Sequence, residues 1–339
     1  MLLQPSGSEF HRHSYFFEMT DLSRVGEVRR FVHQLGMSVR LNEVTQSRLA
    51  TAVNELGNNL IKYAVLGQLI IRKIDTGDDR GVEIVSIDRG PGMDSGQAIA
   101  DGYTTGSTPG TGLGAVRRLA SFFDIYSSVS KGTVIVCGVT ENPDKLPTRR
   151  FRVGAVNLPM TSEIVSGDDW CLHQLEEKIS AMVIDGLGHG TFANAASGEA
   201  VNVFRESEFE PLDKLIIRIH GRLKSTRGGA VFMVHVDGND LSYIGAGNIR
   251  AIIYKQNKIK SLISQNGTAG VQIRRTPVMH EMWDDGLLIL HSDGITSRWD
   301  LNEYPGILTK HPTIVAAVVA RDFTRGCDDT CVVVIGKSV

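Results

Sequence analysis

Only four cysteines occur in the 339 residues, Cys137, Cys171, Cys327 and Cys331. They are too few and too scattered for a disulfide framework, and the Cys327–Cys331 spacing has no second pair to complete a zinc site. Buried free thiols are the expectation. Net charge is also nearly absent, formally -2, which removes the basic footprint that nucleic acid requires. No run of about 18 apolar residues is present. The first twenty residues carry His, Arg and Glu where an export leader needs an apolar stretch. The expectation is therefore a cytoplasmic protein with no nucleic-acid and no membrane partner.

What is present suits a soluble chain of two domains, with 42% hydrophobic and 22% charged residues. Asp21 is placed to cap a helix whose apolar positions Leu22, Val25, Val28, Val32 and Leu35 follow helical spacing and stop at Gly36. After Asn42 a longer helix carries Val44, Leu49, Val53, Leu56 and Leu60 along one stripe. Glu55 and Asn59, four apart, share a face of it; that pair reads either as solvated surface or as part of a site. Two strands, 69–74 and 82–87, flank a polar turn, and the second ends in Asp88-Arg89-Gly90-Pro91-Gly92. A Gly-rich stretch, 106–114, then opens a helix over 115–121, where backbone N–H groups can face a phosphate. Between Thr104 and Val116 there is no Lys or Arg, so phosphate held there would be neutralised by N–H dipoles and Mg2+. Strands over 123–129 and 133–139 close this half.

That order of motifs resembles the GHKL, or Bergerat, ATP-binding fold of histidine kinases, gyrase and anti-sigma-factor kinases. Over 55–64 and 101–106 it is most similar to the switch kinases of bacterial stress-response partner switching. The resemblance implies that Asn59 helps hold Mg2+ beside ATP, Asp88 accepts from the adenine amino group, and Thr133 assists there. It further implies that Gly90 and Gly92 admit the base closely, and that Gly110, Gly112 and Gly114 form a lid over the phosphates. Glu55 would orient or deprotonate the attacking hydroxyl, and Lys62 either contacts a phosphate or is solvated. Phosphoryl transfer needs mainly positioning and charge neutralisation, but such a module can also serve as a nucleotide-gated binding domain without transfer.

Residues 141–150 turn polar and read as a linker. Beyond it, strands are expected over 151–156, 170–173, 181–184, 230–236, 241–244, 249–254, 287–291 and 331–335, with helices over 192–206, 212–224 and 313–322. Asp185-Gly186 ends one strand, Asp293 follows another, and Asp328-Asp329 precedes the last. Converging carboxylates would repel one another, an objection that divalent cations remove. Oxygen-only ligands suit Mg2+ or Mn2+, and two such ions about 3.5–4 Å apart can direct water in line at a phosphate.

Asp185-Gly-x-Gly-His-Gly190, Arg227-Gly228-Gly229-Ala230, Gly245-Ala246-Gly247-Asn248, the run from His291 to Trp299 and Asp328-Asp329 resemble the SpoIIE branch of the PP2C-type serine/threonine phosphatases. The resemblance implies two Mn2+ or Mg2+ ions, with Asp185 bridging, the Gly186 carbonyl on one ion, and Asp293 and Asp328 on the other. Asp168 would act through water, beside Asn248 and Ser292. His189 is read as a turn residue or as a general acid, and Cys331 replaces the usual hydroxyl after the acidic pair. The overall expectation is an α+β chain: a GHKL α/β sandwich over 1–140, the linker, and a PP2C-like α-β-β-α sandwich over 151–339. Its partner would be a STAS-domain antagonist or a stressosome-type phosphoprotein.

Overall fold

The computed structural model describes residues 14–75, 79–93, 112–143, 150–255, 258–274 and 276–338. Two compact units emerge, His13–Pro147 with Thr309–Ile314, and Thr148–Leu308 with Val315–Val339.

In the first unit, β1 (Ser14–Glu18) leads to α1 (Leu22–Ser38) and α2 (Glu43–Tyr63). Both helices start where short polar side chains cap them: Asp21 accepts from Ser23 N–H and Asn42 from Thr45 N–H, each at 2.8 Å. Then follow β2 (Gln68–Asp75), β3 (Arg80–Ile87), α3 (Gly112–Leu119), β4 (Phe122–Ser128) and β5 (Gly132–Thr140). The strands form one antiparallel sheet in the order β1-β2-β3-β5-β4. Leu49, Val53, Leu56 and Leu60 of α2 share a core with Leu69, Ile71, Ile84 and Ile135 of the sheet. Two apolar residues of the expected stripes stay out of it, since Leu22 and Val44 sit in first turns and are exposed. The helix expected to stop at Gly36 runs two residues further.

The second unit contains β6 (Phe151–Leu158), β7 (Asp168–Gln174), β8 (Lys178–Gly186), α4 (Gly190–Arg205), α5 (Leu212–Leu223), β9 (Gly229–Asp237), β10 (Asp240–Ala246) and β11 (Arg250–Lys255). After them come β12 (Lys258–Leu262), β13 (Gly267–Thr268), β14 (Gln272–Ile273), β15 (Met279–Met282), β16 (Leu287–His291), α6 (Pro312–Phe323) and β17 (Thr330–Lys337). Two five-stranded sheets result, ordered β15-β10-β9-β8-β7 and β12-β11-β16-β17-β6. Strand alternation assigns each face. Ile179, Ala181 and Val183 of β8 join Leu288 and Leu290 of β16 and Val333 of β17 in a core shared by both sheets. Met182 and Ile184 point the other way, into a second core with Val201 and Phe204 of α4 and Leu215 and Ile219 of α5.

Cys137, Cys171 and Cys331 are buried, and burial pushes the Cys137 thiol up to about 12, with Glu83 adding to it. Cys327 departs from the expectation, because it sits in an exposed turn.

Candidate functional site

The same alternation that fills the inter-sheet core decides where the acidic residues go. Asp185 is an even number of positions from Val183, and Asp168 from Trp170, so both carboxylates leave the sheet on the inter-sheet side at its end. They are direct cross-strand partners. Asp168 lies within β7, where a loop is expected from sequence, and it is buried. Asn157 donates to its main-chain carbonyl at 2.9 Å and Ser166 Oγ accepts from its N–H at 3.1 Å. Asp168 Oδ2 has no hydrogen-bond partner.

Asp293 follows β16 and accepts from Asn248 Nδ2 at 2.7 Å. Asp185, Asp293 and Asp328 all line one cavity of about 530 Å³, together with Gly188, His189, Asn248, Asn266 and Thr268. Asp329 faces elsewhere: its two oxygens accept from Met160 N–H at 2.7 Å and Gly167 N–H at 2.8 Å, which ties the 159–167 loop to the start of β17. His189 is the N-cap residue of α4, and its Nδ1 pairs with Glu163 at 2.6 Å.

Mutual repulsion shows in the titration of these groups. Burial first, then the charges of Asp293, Asp328 and Asp329, push Asp185 up to about 7. Burial and the facing Asp185 raise Asp168 as well. Asp293 is raised by burial and by Asp328, with Arg325 and the Asn248 amide opposing. As placed, no group of three or more His, Cys, Asp or Glu side chains among the described residues is gathered tightly enough to hold a metal ion by itself. His189 and Cys327 also line the cavity, but the three carboxylates that converge there fit a hard divalent cation sharing its shell with water: they offer oxygen alone, negative charge is in excess, and Asp168, paired across the strands with Asp185, has one buried oxygen without a partner.

Gly186 belongs to this geometry through its backbone. A Cβ there would stand 2.2 Å from the Ala193 carbonyl oxygen, so only glycine lets β8 run so close to α4. Asn266, Gly267 and Thr268 were not foreseen as lining residues. Nothing in their local pattern marks them, since β13 is two residues long and is seated beside the cavity by long-range main-chain bridges, Gly229 with Ala269 and Ala246 with Gln265, as well as by its pairing with β14.

In the first unit, Glu55 and Asn59 face the start of α3. A Cβ on Gly112 would lie 2.7 Å from Glu55 Oε2 and 3.8 Å from Asn59 Nδ2. Gly112 and Gly114 lie inside α3, which begins three residues earlier than expected. Gly110 and the 101–106 motif fall outside the described residues. Asp88 follows β3; its N–H donates to Thr133 O at 2.9 Å and its Oδ1 accepts from Gly90 N–H at 2.6 Å. Thr133 Oγ1 pairs with Ser127 Oγ at 2.9 Å. Gly92 has φ of +73°, and a Cβ would meet Ser128 O at 2.1 Å. Lys62 is exposed at the end of α2. Glu55, Asn59 and Gly112 are thus gathered at one place, and Asp88, Gly90 and Thr133 at another.

Residues 19–137 match the histidine kinase-like ATPase domain family. Over 107 residues the chain is 36% identical to the serine/threonine-protein kinase RsbT of Bacillus subtilis (strain 168), covering 30% of this chain and 80% of that protein. A second relative is the phosphoserine phosphatase RsbX of the same organism, 24% identical over 92 residues, which are 26% of this chain and 46% of that one. The stretch aligned by sequence therefore spans less than half of that phosphatase. Among solved structures, a crystal structure of RsbX in complex with magnesium matches with a TM-score of 0.50 at 18% identity, over 57% of this chain and 98% of that one. A protein of the bacterial stressosome, a modular system adapted to control secondary messenger signaling, matches at 0.51 and 24%, over 55% and 100%. These two likenesses establish fold, and the fold of the remainder is PP2C-like. Through its first half the chain belongs to the family of the RsbT serine/threonine-protein kinases, fused to a PP2C-like unit.

Proposed function

We propose that the chain is a bifunctional partner-switching regulator, in which residues 151–339 form a metal-dependent phosphoserine/phosphothreonine phosphatase. Residues 1–140 form the ATP-binding kinase module, joined by 141–150. The observation that carries the reading is the convergence of Asp185, Asp293 and Asp328, from three distant segments, on one cavity, with the buried Asp168 the cross-strand partner of Asp185. Asp185 and the Gly186 carbonyl would hold one Mn2+ or Mg2+, and Asp185, Asp293 and Asp328 the second. Asp168 would act through water. Bound there, such ions lower the pKa of water and neutralise phosphate charge. The chain's own residues do the rest. Asn248 orients the Asp293 carboxylate, and Asp329 spends its charge on backbone N–H groups to hold the loop beneath the site.

For the first half, Asn59 would hold Mg2+, Asp88 with Gly90, Gly92 and Thr133 the adenine, and Gly110, Gly112, Gly114 and Lys62 the phosphate end of ATP. Glu55, close to Gly112 at the head of α3, would orient the acceptor hydroxyl. The substrate proposed for both halves is a serine or threonine of a STAS-domain antagonist or stressosome-type phosphoprotein, since RsbT and RsbX are a kinase and a phosphoserine phosphatase of one organism.

The test is dephosphorylation of a phosphorylated STAS protein with Mn2+, using Asp185→Ala. Loss of hydrolysis with retained ATP binding is expected; hydrolysis at the wild-type rate would refute the assignment. Radiolabelled transfer from ATP, with Asn59→Ala as the control, tests the kinase half. Absence of transfer to every STAS protein tried would reduce that half to a nucleotide-gated binding module.

A further inference from the structure

Ser292 separates the buried His291 from Asp293, and each of its polar groups is committed. Its N–H donates to Cys331 O at 3.0 Å, and its Oγ accepts from Cys331 N–H at 2.9 Å. Its carbonyl meets His291 Nδ1 at 2.8 Å. The other ring nitrogen, His291 Nε2, receives the indole N–H of Trp299 at 3.2 Å. An indole only donates, so Nε2 is the acceptor and the ring proton sits on Nδ1, aimed at the Ser292 carbonyl.

Trp299 itself is held from both sides. Its ring stacks on Tyr254 at 6.2 Å and 4°, and on Phe323 at 6.0 Å and 30°. The Tyr254 hydroxyl pins the following residues, donating to Asp300 at 2.5 Å and accepting from Leu301 N–H at 3.1 Å. A continuous path therefore runs from an aromatic stack through one imidazole to the peptide that carries Asp293.

We infer that Trp299 and His291 are positioning residues for the carboxylate site: the indole N–H selects the histidine tautomer, and the imidazole N–H fixes the Ser292–Asp293 peptide and with it the direction of Asp293. This rests on the reading of the Asp185 cavity as a divalent-cation site. Groups that orient metal ligands from behind govern affinity by about 10- to 100-fold in comparable sites. The chain here is one bond longer, so the lower end applies.

The test measures Mn2+ affinity of the full chain by titration calorimetry, beside kcat and KM on a phosphoserine peptide. Trp299→Phe keeps a ring between Tyr254 and Phe323 but removes the donor, and should weaken Mn2+ binding about tenfold and lower kcat with KM unchanged. His291→Leu should do the same. His291→Asn, whose amide N–H falls where Nδ1 was, should retain affinity. In that background Trp299→Phe should add nothing, because no tautomer remains to be selected. Trp299→Phe and His291→Leu proteins that bind Mn2+ as the wild type does, merely melting earlier, would overturn the inference and leave the phosphatase reading intact. If His291→Leu fails to fold, Trp299→Phe and the Asn pair decide. A wild-type chain that binds no Mn2+ would instead remove the metal site, and the inference with it.

Discussion

An added methyl group at Gly186 would stand 2.2 Å from the Ala193 carbonyl oxygen, whereas one at Gly221, in the last turn of α5, would meet nothing within 4 Å. Gly186→Ala is therefore expected to cost about 3 kcal/mol, since neither β8 nor α4 can retreat without opening the core between them. Gly221→Ala should stabilise by about 0.5 kcal/mol through helix propensity, less than the full interior value because the site is in the last turn. Urea unfolding of the two variants in chelator checks both signs. His235 offers a pH test away from the carboxylates. Burial, and then the neighbouring His173, bring its pKa down to about 4, and its Nε2 has no hydrogen-bond partner. The unfolded chain takes up that proton first, near pH 6.5, so the folded state loses relative stability as pH falls from about 6.5 to about 4 and is unaffected above. The full span is on the order of 3 kcal/mol. His235→Gln should flatten that part of the stability profile measured by denaturant titration; an unchanged slope would contradict it.

Elements that announce themselves do so through local chemistry. The spacing of Leu49, Val53, Leu56 and Leu60 and the cap at Asn42 make α2 readable, and the structure starts it at Glu43. Replacing Asn42 by Ala leaves Thr45 N–H without its acceptor and should cost about 1 kcal/mol. That loss is measurable as a lower denaturation midpoint at unchanged slope. Other elements have no such signal. β12 is lysine-rich and exposed except at Leu262, and β15 alternates between half-buried and exposed. Both are edge strands, held by main-chain hydrogen bonds to one neighbour, so neither apolar alternation nor length betrays them. The Gly-rich stretch misleads in a different way. Its glycines suggest a loop, yet Gly112 and Gly114 begin α3, where the missing Cβ makes room for the Glu55 carboxylate.

At the scale of the whole molecule, two units with separate cores should answer separate ligands. Mn2+ at a hundred times its Kd adds about 2.7 kcal/mol to whatever it binds. For a unit of this size that raises the melting temperature by about 5–10 °C. The rise should vanish in Asp185→Ala, while a shift caused by Mg-ATP persists there and disappears in Asn59→Ala. Differential scanning calorimetry of the three proteins, with each ligand alone, would show whether the two responses separate. A single shift lost in both variants would contradict the separation.

Residue order alone determined the two families of motif, the capped helices and the carboxylates at strand ends, because each depends on neighbours within a few positions. Tertiary structure decided how those carboxylates are used. Asp328 and Asp329 are adjacent and chemically identical, yet one lines the cavity and the other holds the N–H groups of Met160 and Gly167, more than 160 positions away. Asp168 becomes the buried partner of Asp185 only through the pairing of β7 with β8. Trp299 is linked to the site through His291, eight positions back in sequence at the end of β16. Local pattern sets which groups can ionise or coordinate; the long-range register of the strands sets which of them meet, because that register is fixed by core packing across the whole sheet.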